Sequence, residues 1–176
     1  MLYLGRMHPK KGLELLIRSF LREQREEEML VLAGPLEPPD RYLKELRLAT
    51  RDRQDQVLWT GMLEGDVKWG ALRSANALVL PSHQENYGMV VAEALSVGTP
   101  VFLTDKVNLW REVVDSGAGF AAPDDQGGID QLLADWRMDK HARARESCLA
   151  CFERSLHVRN CAKRILDLFN SATTEG

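Results

Sequence analysis

The chain has 176 residues, 44% apolar and 28% charged, the profile of a folded globular chain and not of a disordered segment. A chain of this length buries about 70% of its unfolded surface in one core. A formal net charge of -3 gives no overall basic field for nucleic acid. No apolar run nears the roughly 20 residues of a membrane span, and Arg6, His8, Lys10 and Lys11 interrupt any signal-like stretch at the start. The cysteines, Cys148, Cys151 and Cys161, form an odd, clustered set, which argues against a disulfide framework and fits a reducing, cytoplasmic setting.

Short apolar runs alternate with amphipathic stretches. Leu2-Tyr3-Leu4 is the first strand, ended by Gly5. Leu13, Leu16, Ile17 and Phe20 then recur at helical spacing as one buried stripe. Met29-Leu30-Val31-Leu32-Ala33 is the second strand, stopped by Gly34-Pro35, and a polar helix starts near Asp40. Val57-Leu58-Trp59-Thr60 is the third, and Asp66 is placed to cap a helix running to Ser74. Ala77-Leu78-Val79-Leu80, Pro100-Val101-Phe102-Leu103-Thr104 and Gly119-Phe120-Ala121-Ala122 complete six strands.

These runs are apolar on both faces, the mark of a parallel sheet covered on both sides. Strict alternation of strand and helix implies an α/β, Rossmann-like, doubly wound sheet with right-handed crossovers. Ligands then sit beyond the carboxyl ends of the strands, so the segments to inspect are 5–12, 34–40, 61–66, 81–88 and 105–108. The tail is helical, with stripes at Ile129, Leu132, Leu133 and Trp136, and at Val158, Cys161, Ala162, Ile165, Leu168 and Phe169. Residues 171–176 are expected to fray. There is no internal repeat or linker, so residues 1–176 read as a single domain. Segment 137–164 holds eight Lys or Arg against three Asp or Glu, a local balance of +5 that leaves -8 on the other 148 residues. It reads as solvated helix faces or, more sharply, as a peripheral membrane or partner contact.

Two segments can carry chemistry. Gly5-Arg6-Met7-His8-Pro9-Lys10-Lys11-Gly12 follows a strand and opens a helix. Its cations and the free amides of the helix end suit a diphosphate; a solvated basic turn is the plain alternative. It is not a Walker loop, because GK[ST] and the glycine spacing are missing. In residues 81–95, Gly88 lets backbone approach a ligand, and the helix over 89–97 is apolar all round except at Glu93 and Ser96. A carboxylate in a buried helix needs partners: ribose hydroxyls would serve, as would backbone or a lysine. Glu85, on the loop, is a candidate for sugar hydroxyls or an exposed acid.

Other constellations fail. Cys148-x-x-Cys151 with His141 and His157 has a zinc-like look, but Cys148, Leu149 and Phe152 read as a buried stripe. Ser82 and His83 lack a nucleophile elbow, and Gly117-x-Gly119 lacks the dinucleotide fingerprint. Trp59, Trp69, Trp110 and Trp136 lie on separate elements and read as core or edge packing. Basic residues without interleaved aromatics give no nucleic-acid platform.

Gly5-Arg6, Lys11-Gly12, Leu-Val-Leu-Ala-Gly, Trp-Thr-Gly, Leu-Pro-Ser, Glu85 and Glu93-Ala94 with seven residues between the two acids, and Gly98-Thr99-Pro100-Val101 occur in this order. Together they resemble the carboxyl-terminal half of a retaining GT-B glycosyltransferase, of the family 4 or group 1 type, over residues 2 to about 123. The resemblance implies one half of a GT-B fold, with Arg6 and Lys11 on the diphosphate of a nucleotide-sugar, Glu93 on ribose and Glu85 on the donor sugar. Asn86 and the amides of Tyr87, Gly88, Met89 and Val90 would line sugar and phosphate, and the base would lie near Gly61-Met62. Arg6, Lys11 and Glu85 would carry the catalytic role, with no metal or other cofactor, in polysaccharide-type biosynthesis. Ala33-Gly34-Pro35-Leu36 and Val107-Asn108 depart from glycine pairs common in the family, in loops facing acceptor and sugar. An amino-terminal acceptor domain is expected to be missing, which makes this chain half an enzyme, inactive alone. The rivals are a non-catalytic nucleotide-sugar-binding module and another GT-B enzyme, such as an epimerase or phosphorylase.

Overall fold

A computed structural model describes the chain except residues 24, 26, 37–40, 141–143 and 175–176, and except the side chains of Cys161, Arg164, Leu168 and 170–174. Strand and helix alternate up to α6, and two further helices follow: β1 (Leu2–Leu4), α1 (Leu13–Arg22), β2 (Leu30–Ala33), α2 (Arg41–Ala49), β3 (Val57–Gly61), α3 (Gly65–Ser74), β4 (Leu78–Leu80), α4 (Met89–Ser96), β5 (Val101–Thr104), α5 (Trp110–Asp115), β6 (Gly119–Ala122), α6 (Gln126–Arg137), α7 (Arg145–Cys151) and α8 (Val158–Thr174). The six strands form one parallel sheet in the order β3-β2-β1-β4-β5-β6. This is the doubly wound α/β architecture expected from the sequence, and all six strand cores fall where the apolar runs place them.

The central strands β4 and β5 are buried throughout. The edge strand β3 is not: its burial alternates, with Leu58 and Thr60 exposed, because nothing pairs beyond it. Leu13, Leu16, Ile17 and Phe20 of α1 and Ile129, Leu132 and Leu133 of α6 enter the core. These two helices pack together and are cross-linked by Ser19 Oγ on Asp130 at 2.5 Å and Gln126 Nε2 on Ser19 Oγ at 2.6 Å.

Several expectations need correction. Asp66 is not the cap of α3; Glu64 occupies the N-cap, and Asp66 lies in the first turn, where a carboxylate still meets the helix dipole. Helix α4 is not buried all round, since Met89 is exposed and Glu93 partly so. Leu149 is exposed although Cys148 and Cys151 are buried. Along α8 the stripe residues Val158, Ala162, Ile165 and Phe169 are exposed. His141 and the start of the polar helix at Asp40 lie outside the described residues. In the basic segment, Arg137 is almost fully enclosed in a bidentate pair with Glu28, and Arg145 donates to the Val97 carbonyl at 3.2 Å. Some of its cations therefore bind the fold and not a partner. Among the described residues no helix is long and apolar enough to cross a membrane.

Gly12 joins the first loop to α1 with φ of 62°, and a Cβ there would lie 2.2 Å from the Pro81 carbonyl oxygen. Gly12→Ala is expected to lower unfolding stability by at least about 1–3 kcal/mol from backbone strain alone. Gly70, inside α3, has open space around it. Gly70→Ala is expected to stabilise by up to about 1 kcal/mol. Urea unfolding of both variants checks the opposite signs.

Candidate functional site

The order of strands reverses between β1 and β4. The chain leaving these neighbours turns to opposite faces, which opens a crevice at their carboxyl ends. The loops after them, 5–12 and 81–88, form its walls.

The first loop is fixed from below and from the side. Tyr3, fully buried, donates its hydroxyl to the Arg6 carbonyl at 2.7 Å, and burial pushes that phenol well above its usual range. The Gly5 amide donates to the Ala33 carbonyl at 2.9 Å. A Cβ on Gly34 would come within 1.9 Å of the Gly5 oxygen, so the Ala33-Gly34 step permits this approach. A single 3-10 turn over Pro9–Lys11 then presents Lys10 and Lys11, with His8 accepting the Lys10 amide at 3.1 Å.

The second loop is tied to the first by the His83 amide on the Lys10 carbonyl at 2.9 Å. Glu85 forms an isolated parallel bridge with Val107, which extends the β4–β5 pairing past the strand ends. Gly88 has φ of 68° and caps α4; a Cβ there would press on Val107 and Val91 at 3.3 Å. The first-turn amides of α4, at Met89 and Val90, have no intrahelical acceptor.

Two cavities meet at Arg6. One, of about 400 Å3, is polar and lined by Arg6, His8, Lys10, Lys11, Gln84, Glu85 and Asn86. The other, of about 540 Å3, is mostly apolar, walled by Leu4, Gly5, Ala33, Gly34, Pro35, Met62 and Leu63, with Arg6, Glu64 and Lys68 as its charged members. A larger groove of about 820 Å3 runs between α1 and α2, with Pro9 of the first loop in its lining. The cations of the polar cavity suit a diphosphate, and the apolar walls beside it suit a flat ring.

Both site carboxylates are paired with lysines. Lys11 donates to Glu85, and both side chains are mostly enclosed. Lys68 donates to Glu93 at 2.8 Å across from α3 to α4. Arg6, Lys11, Glu85, Asn86 and Met62 thus gather on the cavity walls. Exposed Tyr87 and buried Gly88 lead into α4, where Met89, exposed, and Val90, half-buried, stand at the amino end. Glu93 is one turn behind Met89 and reaches the cavity wall through Lys68.

His83 bonds Asp124 through Nδ1 at 2.9 Å and faces Glu14 at 3.8 Å, while Tyr42 donates to Glu14. The His83 bond, which outweighs Lys106 nearby, holds the Asp124 carboxyl below its usual range. Ser82 is buried, and its hydroxyl has no partner among the described residues, so no Ser-His pair forms. Among the described residues no three His, Cys, Asp or Glu side chains gather as metal ligands. Burial pushes the Cys148 thiol to about 12, and Cys148 and Cys151 donate to carbonyls of Ala118 and Glu112. Sequence reasoning missed Lys68 and the Glu14–Tyr42 and His83–Asp124 contacts. Lys68 had a signal: a carboxylate at Glu93 within an apolar helix requires a partner.

A doubly wound α/β domain with an anion-suited crevice at its switch point is the class that fold and site define. The family model for glycosyl transferases group 1 matches residues 1–147, and the chain belongs to that family. An uncharacterized glycosyltransferase of Methanocaldococcus jannaschii is 33% identical over 143 residues, covering 77% of this chain and 36% of that protein. A D-inositol 3-phosphate glycosyltransferase of Kineococcus radiotolerans is 30% identical over 128 residues, covering 68% and 29%. Among solved structures, Anabaena HepE in complex with UDP-glucose superposes with a TM-score of 0.79 at 20% identity, covering 97% of this chain and 48% of that one. Sucrose-phosphate synthase of Thermosynechococcus elongatus gives 0.76 at 22% identity, covering 99% and 45%. The chain thus spans less than half the length of these proteins.

The polar cavity predicts a preference for nucleoside diphosphate over nucleoside. Each charge-assisted bond lost in Arg6→Ala or Lys11→Ala is expected to cost about 1.5–3 kcal/mol, roughly 10- to 150-fold in diphosphate affinity. Calorimetry with uridine, guanosine and adenosine beside their diphosphates measures it, and added salt is expected to shrink the preference.

Proposed function

We propose that this chain is the donor-binding half of a retaining glycosyltransferase that moves a sugar from a nucleotide diphosphate to a sugar or lipid-linked acceptor. The observation that carries this reading is the row of features at the switch point: an apolar cavity, then Arg6, then Lys11 with the α4 amino end, then Glu85. A nucleotide-sugar has the same order of chemistry: base, ribose, diphosphate, hexose. The neighbouring HepE structure contains UDP-glucose, which supports a nucleotide-sugar here.

On this reading Arg6 and Lys11 take the diphosphate, Glu93 accepts from ribose hydroxyls, and Met62 with Leu63 covers the base. The amides of Met89 and Val90 point at phosphate and sugar oxygens, and Tyr87, Gly88 and Asn86 form the turn around them. Departure of the diphosphate leaves negative charge on its oxygens. Arg6, Lys11 and the dipole of α4 meet that charge, so the protein itself supplies the positive field and no metal is invoked. Glu85 accepts from the donor sugar once the phosphate has engaged Lys11. Acceptor positioning, which contributes about 7–11 kcal/mol in well-oriented reactions, falls to the further half that the longer relatives carry.

Glu93→Gln is expected to weaken nucleoside and nucleotide binding alike. Glu85→Gln is expected to leave nucleoside diphosphate binding nearly intact while erasing the extra affinity of the nucleotide-sugar. Calorimetry with both ligands on folded variants separates the two roles. Residues 1–176 are expected to bind donor without transferring it, and a transfer assay with a panel of acceptors tests that directly.

A further inference from the structure

In the ion pair between Lys68 and Glu93, the lysine stands on a cavity wall and the glutamate lies behind it. Each side chain retains 23% of its exposure. Lys68 lines the apolar cavity together with Arg6, Met62 and Leu63. Among the described residues, Lys68 is the side chain bonded to the Glu93 carboxylate, and it uses Oε1 alone. Glu93 and Met89 are four residues apart and share one face of α4, while Val91, Ala92, Ala94 and Leu95 are buried. An ammonium has three donors, so one bond to Glu93 leaves two. The Trp69 ring, 4.9 Å from Nζ, flanks the ammonium.

We infer that Lys68 is a positioning residue for Glu93: it clamps Oε1 from α3 so that Oε2 stands ready for the ribose hydroxyls of the bound nucleotide. This rests on the reading that Glu93 contacts ribose. The charge argument runs the same way. A bare carboxylate beside a bound diphosphate would repel it, and the lysine cancels that repulsion at contact distance. The two ends of the clamp lie on different helices, so it also fixes the spacing of α3 and α4 across the cavity.

The test compares ribose with deoxyribose. UDP, GDP and ADP are titrated into residues 1–176, and the 2′-deoxy and 3′-deoxy forms of the tightest binder follow. The native chain is expected to prefer the ribonucleotide by about 10-fold or more, the order of one hydrogen bond to a charged acceptor. Lys68→Met is expected to remove most of that preference while keeping the circular dichroism of the native fold, and Lys68→Arg is expected to restore it. If Lys68→Met weakens ribo and deoxy forms equally, or leaves the preference whole, the positioning role is overturned. Glu93→Gln separates the two readings. If it abolishes the preference while Lys68→Met does not, Glu93 holds ribose and Lys68 is not its clamp. If Glu93→Gln leaves the preference intact, the ribose reading itself falls.

Discussion

Parallel pairing of β1 with β4 is the constraint on which the site depends. β1 continues into α1 and β2 on one side, and β4 continues into α4 and β5 on the other. Two adjacent strands whose chains part cannot cover the gap between their carboxyl ends, so backbone amides and loop side chains face it. The gap is then narrowed by direct contacts. The Lys10 carbonyl receives the His83 amide, and Gly12 packs its α-carbon toward the Pro81 oxygen. These contacts explain why glycine stands at Gly12 and Gly88, where each helix must begin at once after a left-handed residue. Helices α1 and α4 thus begin where the two loops end, and the dipole at each amino end has the same sign as the charge of Arg6, Lys10 and Lys11.

Much of this was legible from residue order. Buried parallel strands lack alternation, so Leu78-Val79-Leu80 and Val101-Phe102-Leu103 declare both their type and their central place. The switch point itself was not readable, because strand order is decided by crossover packing and not by any one segment. Local rules failed where tertiary context outweighed them. Asp66 has the chemistry of a cap, yet the helix starts two residues earlier, at Gly65. Val57 to Gly61 reads as another covered strand, but its place at the edge exposes Leu58 and Thr60. The stripe on α8 has helical periodicity, and its period is right. Periodicity reports which residues share a face, not whether anything packs on it, and the described stripe side chains are exposed.

The site residues divide in the same way. Arg6, Lys11, Glu85 and Glu93 could be named from the sequence because each breaks its surroundings: cations crowd a turn, and acids sit in or beside an apolar helix. Their partners could not. Lys68 belongs to a polar, weakly amphipathic helix in which a lysine attracts no notice. Only the packing of α3 on α4 brings it to Glu93. His83 and Asp124 are separated by 41 residues and meet because β4 and β6 end on the same side of the sheet.

Pairing Glu85 and Glu93 with lysines has an electrostatic consequence. The two cavities hold Arg6, Lys10, Lys11 and Lys68 against Glu64, Glu85 and Glu93, a small excess of positive charge that survives the two internal pairs. At roughly 4 Å and an effective dielectric near 20, each unit charge contributes on the order of 4 kcal/mol, so the sign of this excess decides whether an anion can enter. Lys11 is common to both arrangements. Its ammonium donates to Glu85, and on the proposed reading the same ammonium meets the diphosphate. On that reading, a phosphate oxygen that takes Lys11 would release a carboxylate oxygen of Glu85, and an acceptor oxygen freed beside the diphosphate is what sugar hydroxyls require. Phosphate and sugar recognition would then be coupled through one side chain, because the lysine that offsets the charge of Glu85 is the one the anion engages.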